Sequence, residues 1–408
     1  MRHINLLVLF VALFASAAHG QAGGQTEVVL KAQPGWDASL VYQGDAGIWT
    51  TGDCKVFPQY GCPDLFALDD KGRCTLLSSY SGKWTPLQTV HDFEWLGALA
   101  VADVDPRVPG EEIYVGGKRG NLYKIKTHRE GGVDTTVVAR FPGEEIHAIL
   151  AADLDPTRPG VELVVFTLAG AAYLLAPRAG FEPIFDGELI ETLPGRVRQA
   201  LVLPDPKGGL RAVAVTRSGQ VMMLKMANEA FAKTVIATEA MGLGRIDRRP
   251  QRSGSGEVLY CTRDDGVILR LEEKPDGAFE REVIYNGPQG PRGIAAGRFD
   301  ADPEVETVAV FGYSSKVEML SRKGGGAWTV AQVFTDIDKG HWLDAVEADG
   351  RNATDELIGS GYGSRVFLLA RPPGYGVAAV PATPSEEKVR SEERPKALKI
   401  GVRVAPQR

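Results

Sequence analysis

Along most of the chain, apolar residues alternate with polar or small ones in short runs. Turns rich in Gly, Asp and Pro separate the runs. Period-two alternation with β-branched enrichment predicts strands, and helical periodicity is nearly absent. A hairpin turn recurs at Gly72, Gly120, Gly170, Gly219 and Gly266, then near Ser315 and Gly363, with successive gaps of 48, 50, 49, 47, 49 and 48 residues. Each unit reads alike. In the sixth, a small-residue strand (293–299) leads through an acidic loop to an apolar strand (307–311). A hairpin then gives a third strand (316–320), and a Trp-led fourth (328–334) closes the unit.

The repeat is clearest in two adjacent units. Asp103, Asp105, Pro109, Gly110, Glu112 and Tyr123 return as Asp153, Asp155, Pro159, Gly160, Glu162 and Tyr173, all at an offset of 50. A fixed period of this size, with four short antiparallel strands per unit, predicts an all-β, seven-bladed β-propeller of four-stranded blades over 36–371. Residues 36–44 match the fourth-strand pattern of 279–287, while the last unit shows only three strands. The N-terminal strand is therefore expected to complete the last blade, which pins both ends and removes exposed sheet edges.

The flanks read differently. Residues 1–20 carry a short basic start, an apolar run at 6–14 and small residues after it, the pattern of a signal peptide. That predicts a secreted or periplasmic protein, with no integral membrane segment after cleavage. Residues 21–35 form an N-terminal segment, and 372–408 are charged and Pro-containing, the composition of a disordered tail.

Bulk composition narrows the function. The 408 residues are 44% hydrophobic and 24% charged, enough for a large core, and the net charge of −6 argues against a nucleic-acid partner. Export permits disulfides among Cys54, Cys62, Cys74 and Cys261. Cys54 and Cys62 flank one irregular loop and are the first candidate pair, although three connectivities stay open. Cys-x-x-Cys and His-Glu-x-x-His motifs are absent, and no glycine-rich loop precedes a helix as phosphate cradling requires.

At its Asp-x-Asp-Pro loops the chain resembles the FG-GAP/VCBS-type propeller repeat, the repeat of the integrin-α head. The resemblance implies loops that bind calcium, the candidate cofactor. Asp103 with Asp105, and Asp153 with Asp155, stand at the first two ligand positions, but Arg107 and Thr157 stand at the third. In the sixth unit Asp300, Asp302, Glu304 and Glu306 keep four acids and make the best metal candidate. Because calcium takes six to eight oxygen ligands, Asp side chains that simply hold turns are the competing reading.

Candidate ligand-binding residues follow from counting back along each first strand, whose start should face an axial funnel. The count gives His147, Gln199 and His341, with Arg198, Arg245 and Arg292 nearby and Trp49 and Trp95 on the same edge. Arg and His favour an anionic or sugar-acid ligand through charge-assisted hydrogen bonds, and Trp offers a face for a sugar ring. Each could equally be a satisfied structural residue. Besides a structural module whose partner docks on the tail or the Cys54–Cys62 loop, two function classes stay open. One is a binding or scaffold propeller for a protein or glycan. The other is a carbohydrate-active enzyme of the lyase or dehydratase kind, with His147 or His341 as base.

Overall fold

The computed structural model describes residues 30–376, apart from short stretches at 58–62, 80–82, 106, 108–109, 128–131, 159, 179–183, 228–229, 250–255 and 349–352. The expected signal peptide, most of the N-terminal segment, the tail beyond 376 and Cys62 lie outside the described residues. No described helix is long and apolar enough to cross a membrane.

The described strands form seven four-stranded antiparallel sheets. Six blades take consecutive strands: blade 1 spans 48–91, blade 2 96–140, blade 3 146–192, blade 4 197–238, blade 5 243–286 and blade 6 291–335. Blade 7 takes three strands from 340–370 and borrows the N-terminal strand Asp37–Gln43, which pairs with Arg365–Ala370 from Asp37↔Ala370 to Gln43↔Arg365. The closure expected from the two ends is therefore what forms.

Position in the blade explains composition. The second strand of each blade is sandwiched between neighbouring blades, so it is apolar on both faces. Ile113, Tyr114 and Val115 are fully buried, as are Leu163 to Phe166 and Ala212 to Val215. The inner strands pack side by side around the axis, with blade 1 against both blade 7 and blade 2. There small residues permit close approach. A Cβ added at Gly293 would lie 2.6 Å from the Leu343 nitrogen of the next blade.

The recurring turn joins the second and third strands. Its last residue is left-handed in every blade, a conformation glycine adopts without steric cost. Gly72, Gly120, Gly170, Gly219 and Gly266 hold it with φ of 67–104°, and Ser315 (φ 62°) and Ser364 (φ 58°) replace glycine in blades 6 and 7.

The acidic loops are held by protein groups. Glu112, Glu162 and Glu356 each accept a loop amide through Oε2, from Val104 (2.8 Å), Leu154 (2.8 Å) and Ala348 (2.7 Å). Arg107 clasps Asp105 with Nε (2.7 Å) and Nη2 (3.0 Å), and Arg158 Nε lies 3.1 Å from Asp155. A guanidinium thus stands against the carboxylate where the family resemblance implies a cation. The sixth-unit acids do not converge. Asp300 and Asp302 accept the amides of Asp302 and Glu304, while Glu306 turns into a buried cluster with Tyr260, Arg270 (2.7 Å) and Arg322 (3.0 Å). Among the described residues no three His, Cys, Asp or Glu side chains are placed to hold a metal ion. Cys54, Cys74 and Cys261 are buried, free thiols. The second half of the expected Cys54–Cys62 pair is outside the described residues.

Candidate functional site

A pocket of about 220 Å³ opens on the axis at the end where the inner strands begin. One device aims its side chains. In every blade the pairing of inner and second strand slips at the same point, between Ile48/Thr50, Leu96/Ala98, Ile146/Ala148, Val197/Gln199, Leu243/Ile246, Pro291/Gly293 and Gly340/Trp342. A β-bulge bends the strand and redirects the extra residue. The residues at these slips are Trp49, Gly97, His147, Arg198, Gly244 with Arg245, Arg292 and His341, and every one lines the pocket.

A second ring comes from the turn residue two places before the left-handed one: Asp70, Lys118, Leu168, Arg217, Asp264, Tyr313 and Tyr362. Its backbone N–H donates at 2.8–3.1 Å to the loop that enters the blade, at Gly47, Trp95, Glu145, Arg196, Gly242, Gly290 and Lys339. Trp95, Arg196, Arg217, Asp264, Tyr313 and Tyr362 from these rings also line the cavity. Each blade thus offers three positions, locked together by one backbone bond.

The pocket has two unlike halves. Blades 7, 1, 2 and 3 supply an aromatic arc. Trp49 stacks on Trp95 (5.5 Å, 25°), His341 meets Trp49 edge-on (4.4 Å), and His147 meets Trp95 (5.0 Å). Tyr362 of blade 7 lies 5.8 Å from His341, and Tyr313 of blade 6, 6.3 Å from Tyr362, carries the arc over to the arginine side. Trp49 also donates its indole N–H to Asp70. Blades 4, 5 and 6 supply arginines. Asp264 pairs with Arg198 (2.6 Å) and Arg292 (2.8 Å). Among the described residues Arg245 has no carboxylate partner. It donates to the carbonyls of Arg198 (2.7 Å) and Arg292 (3.2 Å) and lies over the Trp342 ring (4.3 Å). Arg196 has a buried Nε that no group among the described residues accepts from, and Arg217 stands exposed at the rim.

This crowding sets protonation. Burial, reinforced by Arg198 and Arg292, brings Arg245 down to about 9, and burial with the neighbouring Arg198 brings Arg196 to about 10. Burial and the nearby arginines push His147 to about 4 and His341 to about 3, so both imidazoles are neutral at pH 7. Each donates one ring N–H, His341 Nδ1 to the Trp49 carbonyl (2.8 Å) and His147 Nε2 to Glu145 (3.2 Å). The other nitrogen of each ring keeps its lone pair.

Of the residues expected from sequence, Trp49, Trp95, His147, Arg198, Arg245, Arg292 and His341 come together here. Gln199 does not: it sits one residue past the slip and accepts the Ile246 amide (3.2 Å). Arg196, Arg217, Asp264, Tyr313 and Tyr362 are additions. They keep the repeat period, and the turn residues could have been found by stepping back two places from each left-handed position.

Farther down the same inner strands the charge reverses. Burial raises the pKa of Asp53, brings Asp247 up to about 6, and raises Asp344 well above the carboxylate range, with Asp247 and Asp53 pushing Asp344 further.

The fold and this site define a seven-bladed β-propeller with a cationic, aromatic-walled axial pocket. Its solved structural neighbours agree on the fold. The chain is similar to the WD40 β-propeller domain of Doa1 (TM-score 0.56, 10% identity, 84% of this chain and 98% of that one). It is also similar to BBS1N, solved in complex with ARL6DN (0.57, 14%, 84% and 97%), and to the Cps50 (Swd1) propeller of Myceliophteria thermophila (0.54, 9%, 81% and 99%). At these identities the likeness shows the fold alone. No protein-family model and no curated protein matches the sequence.

Proposed function

We propose that the chain is an exported binding propeller, built from FG-GAP/VCBS-like repeats, whose axial pocket captures an anionic group carried by a protein or a glycan. One observation carries this reading. Arg196, Arg217 and Arg245 line the pocket and, among the described residues, none of them is bonded to a carboxylate. Buried cations are normally paired. A ligand carboxylate would complete the set with charge-assisted bonds, and the Trp49–Trp95 wall would cover its apolar face. Calorimetric titration with galacturonate, acetate and the neutral sugar galactose tests it. The charged sugar should bind, galactose should not, and Arg245→Met should weaken binding about tenfold or more. Equal binding of both sugars, or no binding of any anion, would overturn the reading.

A second reading, a lyase or dehydratase acting on sugar acids, is favoured by the two neutral imidazoles. A ring nitrogen of His147 or His341 with a free lone pair can take the proton next to a carboxylate while the arginines hold the negative charge that develops. The leaving group then departs from the neighbouring carbon. Turnover of a uronic-acid polymer, read by unsaturated product and abolished by His147→Ala or His341→Ala, would establish it. Binding without turnover would leave the first reading alone.

A further inference from the structure

Resting on the binding reading above, we infer that the pocket face docks an extended protein segment that inserts an acidic side chain among the arginines and lays apolar neighbours on the rim. The rim carries the argument. Among the described residues, the most exposed large apolar side chains are Phe93, 71% exposed, and Ile337, 63% exposed. Both sit in loops that enter inner strands, two residues before Trp95 and Lys339, on the same face as the pocket. Leu168 and Met241, each 44% exposed, stand in the turns and loops of that face too. A ligand wholly inside the pocket would make no use of this rim.

Phe93 adds a second observation. Its φ is 64°, a left-handed conformation that is an outlier for a bulky residue. A strained, solvent-exposed aromatic is costly to the folded chain twice over, and such strain clusters at ligand clamps. Its ring packs at 4.1 Å on His91, the last residue of blade 1's outer strand, so it stands on the outer part of the pocket face.

Charge and size select the occupant. The cationic half calls for an anion, and about 220 Å³ accommodates one side chain rather than a folded element. An Asp or Glu within a short apolar stretch satisfies the pocket and the rim together. The chain's own segment beyond residue 380 has the wrong sign, with seven Lys and Arg against four Glu. The chain as a whole, at −6, could offer a carboxylate to a second copy, and the experiment separates that case.

The test selects from a displayed library of random linear hexapeptides on the full chain, then measures one enriched peptide by fluorescence anisotropy. Enriched peptides should carry a central Asp or Glu flanked by Leu, Ile or Phe. Replacing that acid by its amide, or Arg245→Met in the protein, should weaken binding about tenfold or more. Ile337→Ser should weaken the peptide several-fold and leave galacturonate unchanged. Phe93→Gly is the sharpest arm, because it should raise thermal stability by relieving the backbone while weakening the peptide. If Phe93→Gly moves stability alone, or enriched peptides lack an acid, the inference fails. If no peptide is enriched while galacturonate still binds, the protein-segment inference falls and the pocket reading stands. Loss of both sinks both. Self-association that Ile337→Ser abolishes would replace the peptide by a second copy and overturn the inference as stated.

Discussion

At the pocket end of the axial channel, buried arginines hold their charge. Carbonyl oxygens, the Trp342 face and Asp264 surround them, and even the most crowded, Arg245, falls only to about 9. At the far end, on the same strands, the carboxylates resist ionisation. Asp247 accepts the amides of Ala296 (2.7 Å) and Arg248 (2.8 Å), Asp344 accepts one amide from Ala345 (2.9 Å), and both titrate upward. Burial opposes charge at both ends. The partners differ: a guanidinium can use carbonyls and ring faces spread around it, whereas a carboxylate between strands has only the few N–H groups that the ladder leaves over. One end is thus short of an anion and the other is short of a proton.

The largest effect should come from removing Asp264, the acid that pairs with two arginines of the pocket. Asp264→Asn leaves Arg198 and Arg292 without their carboxylate, and we expect a loss of about 2–3 kcal/mol in denaturant unfolding. Full stability in this variant would mean that water alone solvates the cluster. Next, Arg196→Gln should cost galacturonate about tenfold in affinity, or about 1.4 kcal/mol, with stability unchanged. A fall in stability with unchanged affinity would make Arg196 a structural residue.

At the far end the sign reverses. Asp344→Asn should stabilise the fold at pH 7 by about 1 kcal/mol, because it removes a group that resists ionisation where it stands. Destabilisation would mean that an unseen cation or proton donor satisfies it. The smallest effects are in the pH profile. His341 has its folded pKa near 3, below its usual 6.5, so the unfolded chain takes the proton first. The stability contributed by the neutral ring is full above about pH 6.5 and is lost as pH falls towards 3. Asp247 runs the other way. Its folded pKa near 6 exceeds the usual 3.8, so its contribution is full below about pH 4 and is lost as pH rises through 6. His341→Gln should flatten the acidic fall, and Asp247→Asn should remove the loss above pH 4. Thermal midpoints across pH 4–8 read both.

The blade count, the strand order and the closure by residues 37–43 were legible because turn glycines and small inner-strand residues answer to local sterics that repeat with the fold. The pocket was legible in half. His147 and His341 share a repeat position, and charge and aromatic residues cluster near it. The count failed at Gln199 because the inner strand of blade 4 holds eight residues, Val197–Pro204, where that of blade 3 holds seven, so the bulge falls on Arg198. Bulges are set by pairing between strands, which no single strand reveals. Asp264, Tyr313 and Tyr362 were hidden because a turn reads as a connection until the ring points it at the axis. Glu306 was misleading for a related reason: it keeps the repeat's late acidic position, but Arg270 of the neighbouring blade and Arg322 of its own blade capture it.

The closure of blade 7 has a mechanical consequence. Asp37 and Ala370, where the chain enters and leaves the ring, are paired with each other at one end of the last ladder. Tension applied between the two termini would open that ladder one rung at a time, the weak direction for a β-sheet, instead of sliding the strands past each other. Resistance there comes from the Gln33 amide on the Val333 carbonyl (2.9 Å) and from Arg371, which bonds the carbonyls of Gly35 (3.1 Å) and Phe299 (3.0 Å) and lies over the rings of Trp36 (4.1 Å) and Tyr375 (4.6 Å). A ring tethered by both tails would therefore give way at this closure first, while the inner strands that carry the pocket stay paired.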